Sequence, residues 1–446
     1  MTTASRSSSS TTGSPVENPP AIAFVTIGCP KNEVDSDRMA ALVEASPYRV
    51  VDDPADADAV VLNTCAFIQT ATEESIATAL ELAGEWVPAG DGRKLIVAGC
   101  MPSRYGADLA EAMPEADAFL PVAEEDQLPD VLEALFGVPF GVRVEAPTRT
   151  AGTHTAYLKV SEGCDRTCAY CTIPAIRGRF ISAPLDGILA EARFLIDTGA
   201  RELVLVGQDI ASYGHDLAER ADLATLVERL DALEGDFRIR LMYLQPDGVT
   251  NRLLSAMADA RKVCHYLDIP LQHASASILE AMGRTGDAAR FHDLLDRVRA
   301  ALPDVTLRTT VMAGFPGETE GDAATLERFI EAAAFDFVGV FAFSPEEGTR
   351  AAAMPGQLPD DVRAERAQRL RDIADVVGFA RAAALVGSVR RVLVEGDDED
   401  DLVGRTCGQA PDVDGLTVID GSAAVGTLVD VRIIDAAGYD LIGELS

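Results

Sequence analysis

The chain has little positive charge. Its 446 residues carry 38 Lys and Arg against 72 Asp and Glu, a formal net charge of −34 at pH 7. Indiscriminate binding to a phosphate backbone depends on Lys and Arg, so this balance opposes it. Solubility, or a basic partner, remains as the reason for the excess of acid. Long apolar runs are absent too. None approaches the roughly 20 residues of a membrane-crossing helix, so no membrane partner is expected. Residues 1–20 are rich in Ser and Thr and lack the apolar core of a secretory signal. They read as a disordered tail. No segment repeats at the period of a solenoid. These gaps point to a cytoplasmic protein with reduced thiols.

Hydrophobic residues make up 48% of the chain, ample for packed cores, and the length suits roughly three domains. Eight cysteines in such a chain argue for metal ligands rather than disulfides. Cys164, Cys168 and Cys171 fall within eight residues, in the spacing C-x3-C-x2-C. They follow an apolar run at 156–160 that reads as a strand, so the thiols sit in a loop at a strand's C-terminal end. Three soft ligands in one loop suit a soft metal centre. A zinc site would need a fourth Cys or His close by. His154 is ten residues upstream, and the next histidine is His215. A four-iron cube normally takes four cysteines, so three local ligands leave one iron open to bind a substrate.

Upstream, apolar strands at 21–27, 59–63 and 94–98 alternate with helical stretches near 36–45 and 70–83, which implies a parallel sheet. Cys29, Cys65 and Cys100 each follow one of these strands within two residues. Ligands of open parallel sheets bind outside the carboxyl ends of the strands. The three thiols are therefore expected at one edge, as a second metal cluster. For any one of them alone, a small buried residue is the plainer reading. Downstream, strands at 156–162, 202–207, 238–244, 266–271, 306–313 and 337–343 alternate with helices at 184–198, 221–233, 250–260, 287–301 and 320–333. Six βα units make an incomplete barrel, with function expected at the strand C-termini. An Arg-rich helix at 360–385 leads to short β runs at 388–395, 415–419, 428–434 and 441–445, which suggest a small antiparallel barrel. The expected fold class is α/β. A disordered tail (1–20) precedes a parallel α/β domain (21–145), a partial (βα)6 barrel (150–383) and a small β-barrel (386–446).

C-x3-C-x2-C with Tyr170 before its last cysteine, on a six-unit barrel, resembles the radical S-adenosylmethionine superfamily. The chain after residue 20 is similar to the methylthiotransferases within it. Those join a three-cysteine domain, a radical barrel and a C-terminal TRAM domain in this order. The resemblance implies that Cys164, Cys168 and Cys171 hold a [4Fe–4S] cluster whose open iron binds S-adenosylmethionine. It implies cleavage of that cofactor to a 5′-deoxyadenosyl radical. It also implies an auxiliary [4Fe–4S] cluster on Cys29, Cys65 and Cys100, carrying the sulfur to be transferred. Cofactor contacts are implied for Tyr170, Gly207, Gln208, Asp209, Arg308 and Thr310, with a structural ion pair as the alternative for Arg308. No catalytic side chain is expected beyond the ligands. His273 receives no role, and Cys264 and Cys407 read as ordinary thiols.

Several segments resemble the branch that modifies an aspartate of ribosomal protein S-12: GCPKNEVDS at 28–36, NTCAFI at 63–68, YLQPD at 243–247, DIPLQH at 268–273 and LRTT at 307–310. The loop at 207–214 departs from it, because a hydroxyl residue is expected where Ile210 stands. The implied partners are ribosomal protein S-12, met free or within the small subunit, and an electron-donor protein; transfer RNA is not expected. The alternatives are a transfer-RNA adenosine methylthiotransferase and a non-catalytic iron–sulfur carrier. In the final segment Arg390, Arg391, Arg405 and Arg432 face 13 Asp and Glu, five of them in the run 397–401. That composition repels phosphate and suits a Lys/Arg-rich protein. The Arg-rich stretch at 363–371 remains a place for ribosomal RNA to touch.

Overall fold

The computed structural model describes residues 18–446 apart from 89, 91, 142–148, 151–152, 219–220 and 399–400, with the backbone alone at 397, 398 and 401. Most of the predicted tail and the side chains of the acidic run lie outside the described residues.

Five parallel strands form the first sheet: Ala21–Thr26, Arg49–Val50, Ala59–Thr64, Lys94–Gly99 and Ala118–Pro121. Their order is second, first, third, fourth, fifth. The central strand, Ala59–Thr64, is buried at every residue. A strand covered on both faces reads as a continuous apolar run, as this one does. Helix Pro30–Glu44 starts directly after Cys29, its N-cap, with Pro30 in the first turn, where a missing N–H costs nothing. Helix Cys100–Ala112 opens on Cys100 itself.

The second domain has six parallel strands in sequential order: Thr155–Lys159, Glu202–Val206, Arg238–Leu241, Val263–Asp268, Thr306–Ala313 and Phe337–Ala342. The sheet does not close; the first and last strands are its edges. Helices Leu185–Asp197, Leu223–Asp231, Asn251–Asp259, Ala288–Ala301 and Glu320–Ala333 share one apolar core with its outer face. Strand Thr306–Ala313 shows both faces. Leu307, Thr309, Val311 and Ala313 are buried, while Arg308 and Thr310 point the other way and are half-buried.

The lumen is filled from two sides. Val34 of the first domain and Ala410 of the last pack with Tyr157, Val204, Val206, Met242 and Tyr266 of the barrel strands. Glu202 gathers Arg238, Arg240 and Arg405 at 2.7, 2.6 and 2.9 Å. Arg405 belongs to the C-terminal domain, so this buried knot ties that domain to the barrel.

Helix Asp360–Ala383 is fastened to helix Glu320–Ala333 and the turn before it. Arg366 pairs with Glu318 and Glu320, and Arg369 with Glu320 and Glu327. Arg363 donates to the Phe343 carbonyl and Arg371 to the Val340 carbonyl. Arg366 and Arg369 are thus neutralised within the fold, while Arg371 stays exposed and meets no carboxylate among the described residues. The last domain is a closed five-stranded barrel of Val389–Asp398, Asp401–Thr406, Thr417–Asp420, Leu428–Ala437 and Asp440–Leu445. It is not wholly antiparallel: Thr417–Asp420 pairs with Asp440–Leu445 in parallel. Among the described residues, no helix is long and apolar enough to cross a membrane.

Candidate active site

Strands Ala21–Thr26, Ala59–Thr64 and Lys94–Gly99 are neighbours, roughly 5 Å apart, so Cys29, Cys65 and Cys100 leave the sheet at one edge. Two glycines permit the approach. Gly28 has φ +111°, and a Cβ there would lie 2.6 Å from Cys65 Cβ and 3.2 Å from its Sγ. Gly99 has φ +90°, and a Cβ there would collide with Asn63 Oδ1. Asn63 Nδ2 donates to the Asn32 carbonyl (2.9 Å) and to Ser36 Oγ (3.0 Å), and Asn32 Nδ2 donates to the Thr64 carbonyl (2.9 Å). Arg177 reaches this edge from the barrel, donating to Asn32 Oδ1 at 2.8 Å and pairing with Asp35 at 3.0 Å. Burial pushes the Cys100 thiol up to about 12, partly offset by Arg177. Burial also raises Cys65. At Cys29 burial is outweighed by the charges of Lys31 and Arg177, and its thiol is lowered. Cys100 feels both Cys29 and Cys65, Cys65 feels Cys29, and all three feel Arg177.

The second triplet occupies the loop between strand Ser161–Glu162 and helix Ile173–Arg177. Gly163 turns the chain with φ +72°, and the Cys164 N–H donates to the Gly178 carbonyl (3.2 Å). The Ala169 N–H donates to the Met282 carbonyl (2.8 Å) and Arg350 to the Thr167 carbonyl (2.7 Å), which holds the loop over the strand ends. Burial raises the Cys164 thiol and pushes Cys171 up to about 12. Among the described residues, no three His, Cys, Asp or Glu side chains converge as ligands of a single ion. A cube spreads its cysteines over separate irons.

Gly207 follows strand Glu202–Val206, and a Cβ there would lie 2.5 Å from Ser161 Oγ. Gln208 donates to Glu162 Oε1 at 2.8 Å. Asp209 pairs with Arg166 at 2.7 Å, and Arg166 also holds Asp247 at 2.9 Å. Ser161 Oγ, Gln208 Oε1 and Asp209 Oδ1 are buried without a partner. Unpaired buried acceptors are rare; here three of them border the cysteine loop, which fits a bound molecule bearing an amino group. Tyr170 Oη lies 3.5 Å from Arg284, which donates to Gln245 Oε1 and the Pro270 carbonyl at 2.8 Å and lies 3.9 Å from Cys168 Sγ. A cavity of about 340 Å³ opens between Arg166, Cys168, Gln245, Asp247 and Arg284.

Arg308 and Thr310 have other contacts. Arg308 pairs with Asp268 at 3.1 Å and with Asp414 of the C-terminal domain at 3.3 Å, and Thr310 Oγ1 lies 3.4 Å from its Nη1. Ile210 is fully buried in the core, and, two residues on, Ser212 Oγ donates to Asp209 Oδ2 at 2.9 Å. His273 Nδ1 accepts the Ser275 N–H at 2.9 Å, so its proton sits on Nε2, 3.4 Å from Glu318 Oε2. That arrangement anchors the turn at Gly314, whose N–H donates to the same carboxylate at 2.8 Å.

Three features lay outside the reach of the sequence patterns. Buried Cys264 lies against half-buried Cys407, and that neighbour, with Arg238 and Arg240, lowers the Cys407 thiol to about 6. Tyr243 has φ +64°, a conformation that costs a non-glycine residue and gathers at functional sites. Lys31 Nζ lies 4.0 Å from the centroid of the Tyr243 ring.

Three family models match in chain order: Uncharacterized protein family UPF0004 over residues 21–121, the Radical SAM superfamily over 158–330 and the TRAM domain over 386–445. The ribosomal protein uS12 methylthiotransferase RimO of Geobacter sulfurreducens is 43% identical over 439 residues, 95% of this chain and 98% of that protein. The protein of the same name from Anaeromyxobacter sp. is 44% identical over 432 residues, 94% and 92% of the two chains. The chain belongs to the radical S-adenosylmethionine methylthiotransferases. At the level of fold alone, this methylthiotransferase is similar to the radical S-adenosylmethionine methyltransferase TsrM of Kitasatospora setae. The TM-score is 0.56 at 13% identity, over 84% of this chain and 77% of that one. The cobalamin-dependent S-adenosylmethionine radical enzyme OxsB gives 0.54 at 14% identity, over 80% and 56%. Membership of the radical S-adenosylmethionine superfamily implies that cofactor and a [4Fe–4S] cluster, and the barrel cysteines with the unpaired acceptors beside them fit both.

Proposed function

We propose that this methylthiotransferase adds a methylthio group to the β-carbon of an aspartate in ribosomal protein uS12, using S-adenosylmethionine and two [4Fe–4S] clusters. The observation that carries the reading is the pair of cysteine triplets, one at a sheet edge and one at a barrel mouth, in a chain 43% identical to a uS12 methylthiotransferase over nearly its full length. Cys164, Cys168 and Cys171 would hold the cluster that binds S-adenosylmethionine. Cys29, Cys65 and Cys100 would hold the auxiliary cluster, the source of the transferred sulfur. When bound, the first cluster and S-adenosylmethionine supply a radical able to take hydrogen from an unactivated C–H bond.

The protein's own side chains then position rather than react. Ser161, Gln208 and Asp209 offer buried acceptors to the cofactor's amino group, and Gly207 leaves room for its approach. Tyr170, within the cysteine loop, packs against the barrel core, and Arg308 and Thr310 line the lumen face of their strand. No general base is needed, and His273 is spent on holding a turn. The cytoplasm, where an electron-donor protein is at hand, is the setting this chemistry requires. Transfer RNA is not expected to bind a chain this acidic, in which Arg366 and Arg369 are already paired. Anaerobically reconstituted protein, given dithionite and S-adenosylmethionine, should release 5′-deoxyadenosine. Fully clustered protein that releases none would be an iron–sulfur carrier instead.

A further inference from the structure

We propose that Lys31 binds the side-chain carboxylate of the substrate aspartate, at the junction of the first domain with the barrel mouth; this rests on the function proposed above. The other cations at the junction are committed. Arg177 and Lys159 both pair with Asp35 and Glu162. Arg166 pairs with Asp209 and Asp247, Arg104 with Glu346, and Arg284 donates to neutral oxygens. Lys31 differs. Among the described residues its ammonium makes no hydrogen bond and no ion pair, and rests on the Tyr243 ring at 4.0 Å. A ring face attracts the charge but leaves the three N–H donors free. The side chain is half-buried and so can be reached.

Its position suits the task. Lys31 lies two residues after Cys29, while Tyr243 follows barrel strand Arg238–Leu241. The ammonium thus spans the gap between the sulfur-bearing edge and the barrel mouth. The strained Tyr243 backbone, its N–H held by Asp268 Oδ2 at 3.2 Å, fixes the platform. The reacting carbon of an aspartate is bonded directly to its carboxylate carbon, so holding the carboxylate holds the C–H bond to be broken. A carboxylate leaving water for such a place needs a cationic partner.

The competing role for Lys31 is to stabilise the Cys29 thiolate, and that role predicts iron loss. The test compares binding of uS12 with binding of a uS12 variant whose modified aspartate is changed to asparagine. Reconstituted wild type should prefer native uS12 by about tenfold or more. Lys31→Met should keep the wild-type iron content and bind the two alike. A Lys31→Met protein that still discriminates, or that loses iron, overturns the proposal while leaving the function intact. Wild type that neither binds nor modifies uS12 overturns the function and this proposal together.

Discussion

Gly28 shows how a single residue can decide whether a site forms. Its backbone is left-handed, and the nearest neighbour of an added Cβ is the Cβ of Cys65. An alanine there is strained whatever room is made for it, and the room would have to come from moving one of the thiols. On the two-cluster reading proposed above, Gly28→Ala should therefore cost reconstituted protein about half its iron, while 5′-deoxyadenosine formation continues at the barrel. Full iron in the variant would show that Cys29 and Cys65 do not share a cluster. Both triplets were legible in the sequence, one from close spacing and the other from strand ends. Lys31 and Tyr243 were not. Their contact exists only because two domains pack, and no spacing within either strand or loop encodes it. The same holds for Cys264 and Cys407, which meet where the last domain enters the lumen.

Among the elements, the barrel helices are the most legible, because long apolar periodicity leaves little freedom: the stretch predicted at 320–333 is Glu320–Ala333, whereas the helix predicted near 36–45 is Pro30–Glu44, starting at a proline that favours a first turn. Strands fared less evenly. The fourth barrel strand is Val263–Asp268 rather than 266–271, because the apolar run continues past the point where Pro270 ends pairing. Asp401–Thr406 went unread because it starts inside the acidic run and carries a glycine in place of an apolar residue at 404. No strand shows its ion pairs in its pattern, and Glu202, at the start of strand Glu202–Val206, matters most among these. Burial alone would raise its carboxyl, but Arg238, Arg240 and Arg405 hold it well below the usual range. A depressed carboxylate stabilises the fold above its unfolded pKa, near 4.3, and that contribution fades as pH falls through the lower folded value. Glu202→Gln leaves three buried guanidiniums underpaired and should cost roughly 3–5 kcal/mol, read as a lower urea midpoint at neutral pH. The gap from wild type should narrow in acid. A loss under about 1 kcal/mol, typical of an exposed pair, would show that the knot does not secure the C-terminal barrel.

For the molecule as a whole, three domains converge on one barrel. The first brings a thiol-bearing edge to its mouth, the second supplies the three-cysteine loop, and the third enters the lumen with Ala410 and Asp414. The order of these parts was visible from the alternation of strands and helices and from the motifs. Their mutual packing was not, since it depends on buried pairs such as Arg177 with Asp35 and Arg405 with Glu202. The acidic surface suits a basic protein substrate. Mass spectrometry of uS12, before and after incubation with cluster-loaded protein, dithionite and S-adenosylmethionine, tests the assignment most directly. The expected result is one methylthio group in place of one hydrogen, on the β-carbon of a single aspartate. Unmodified uS12 beside methylthiolated transfer RNA would contradict it.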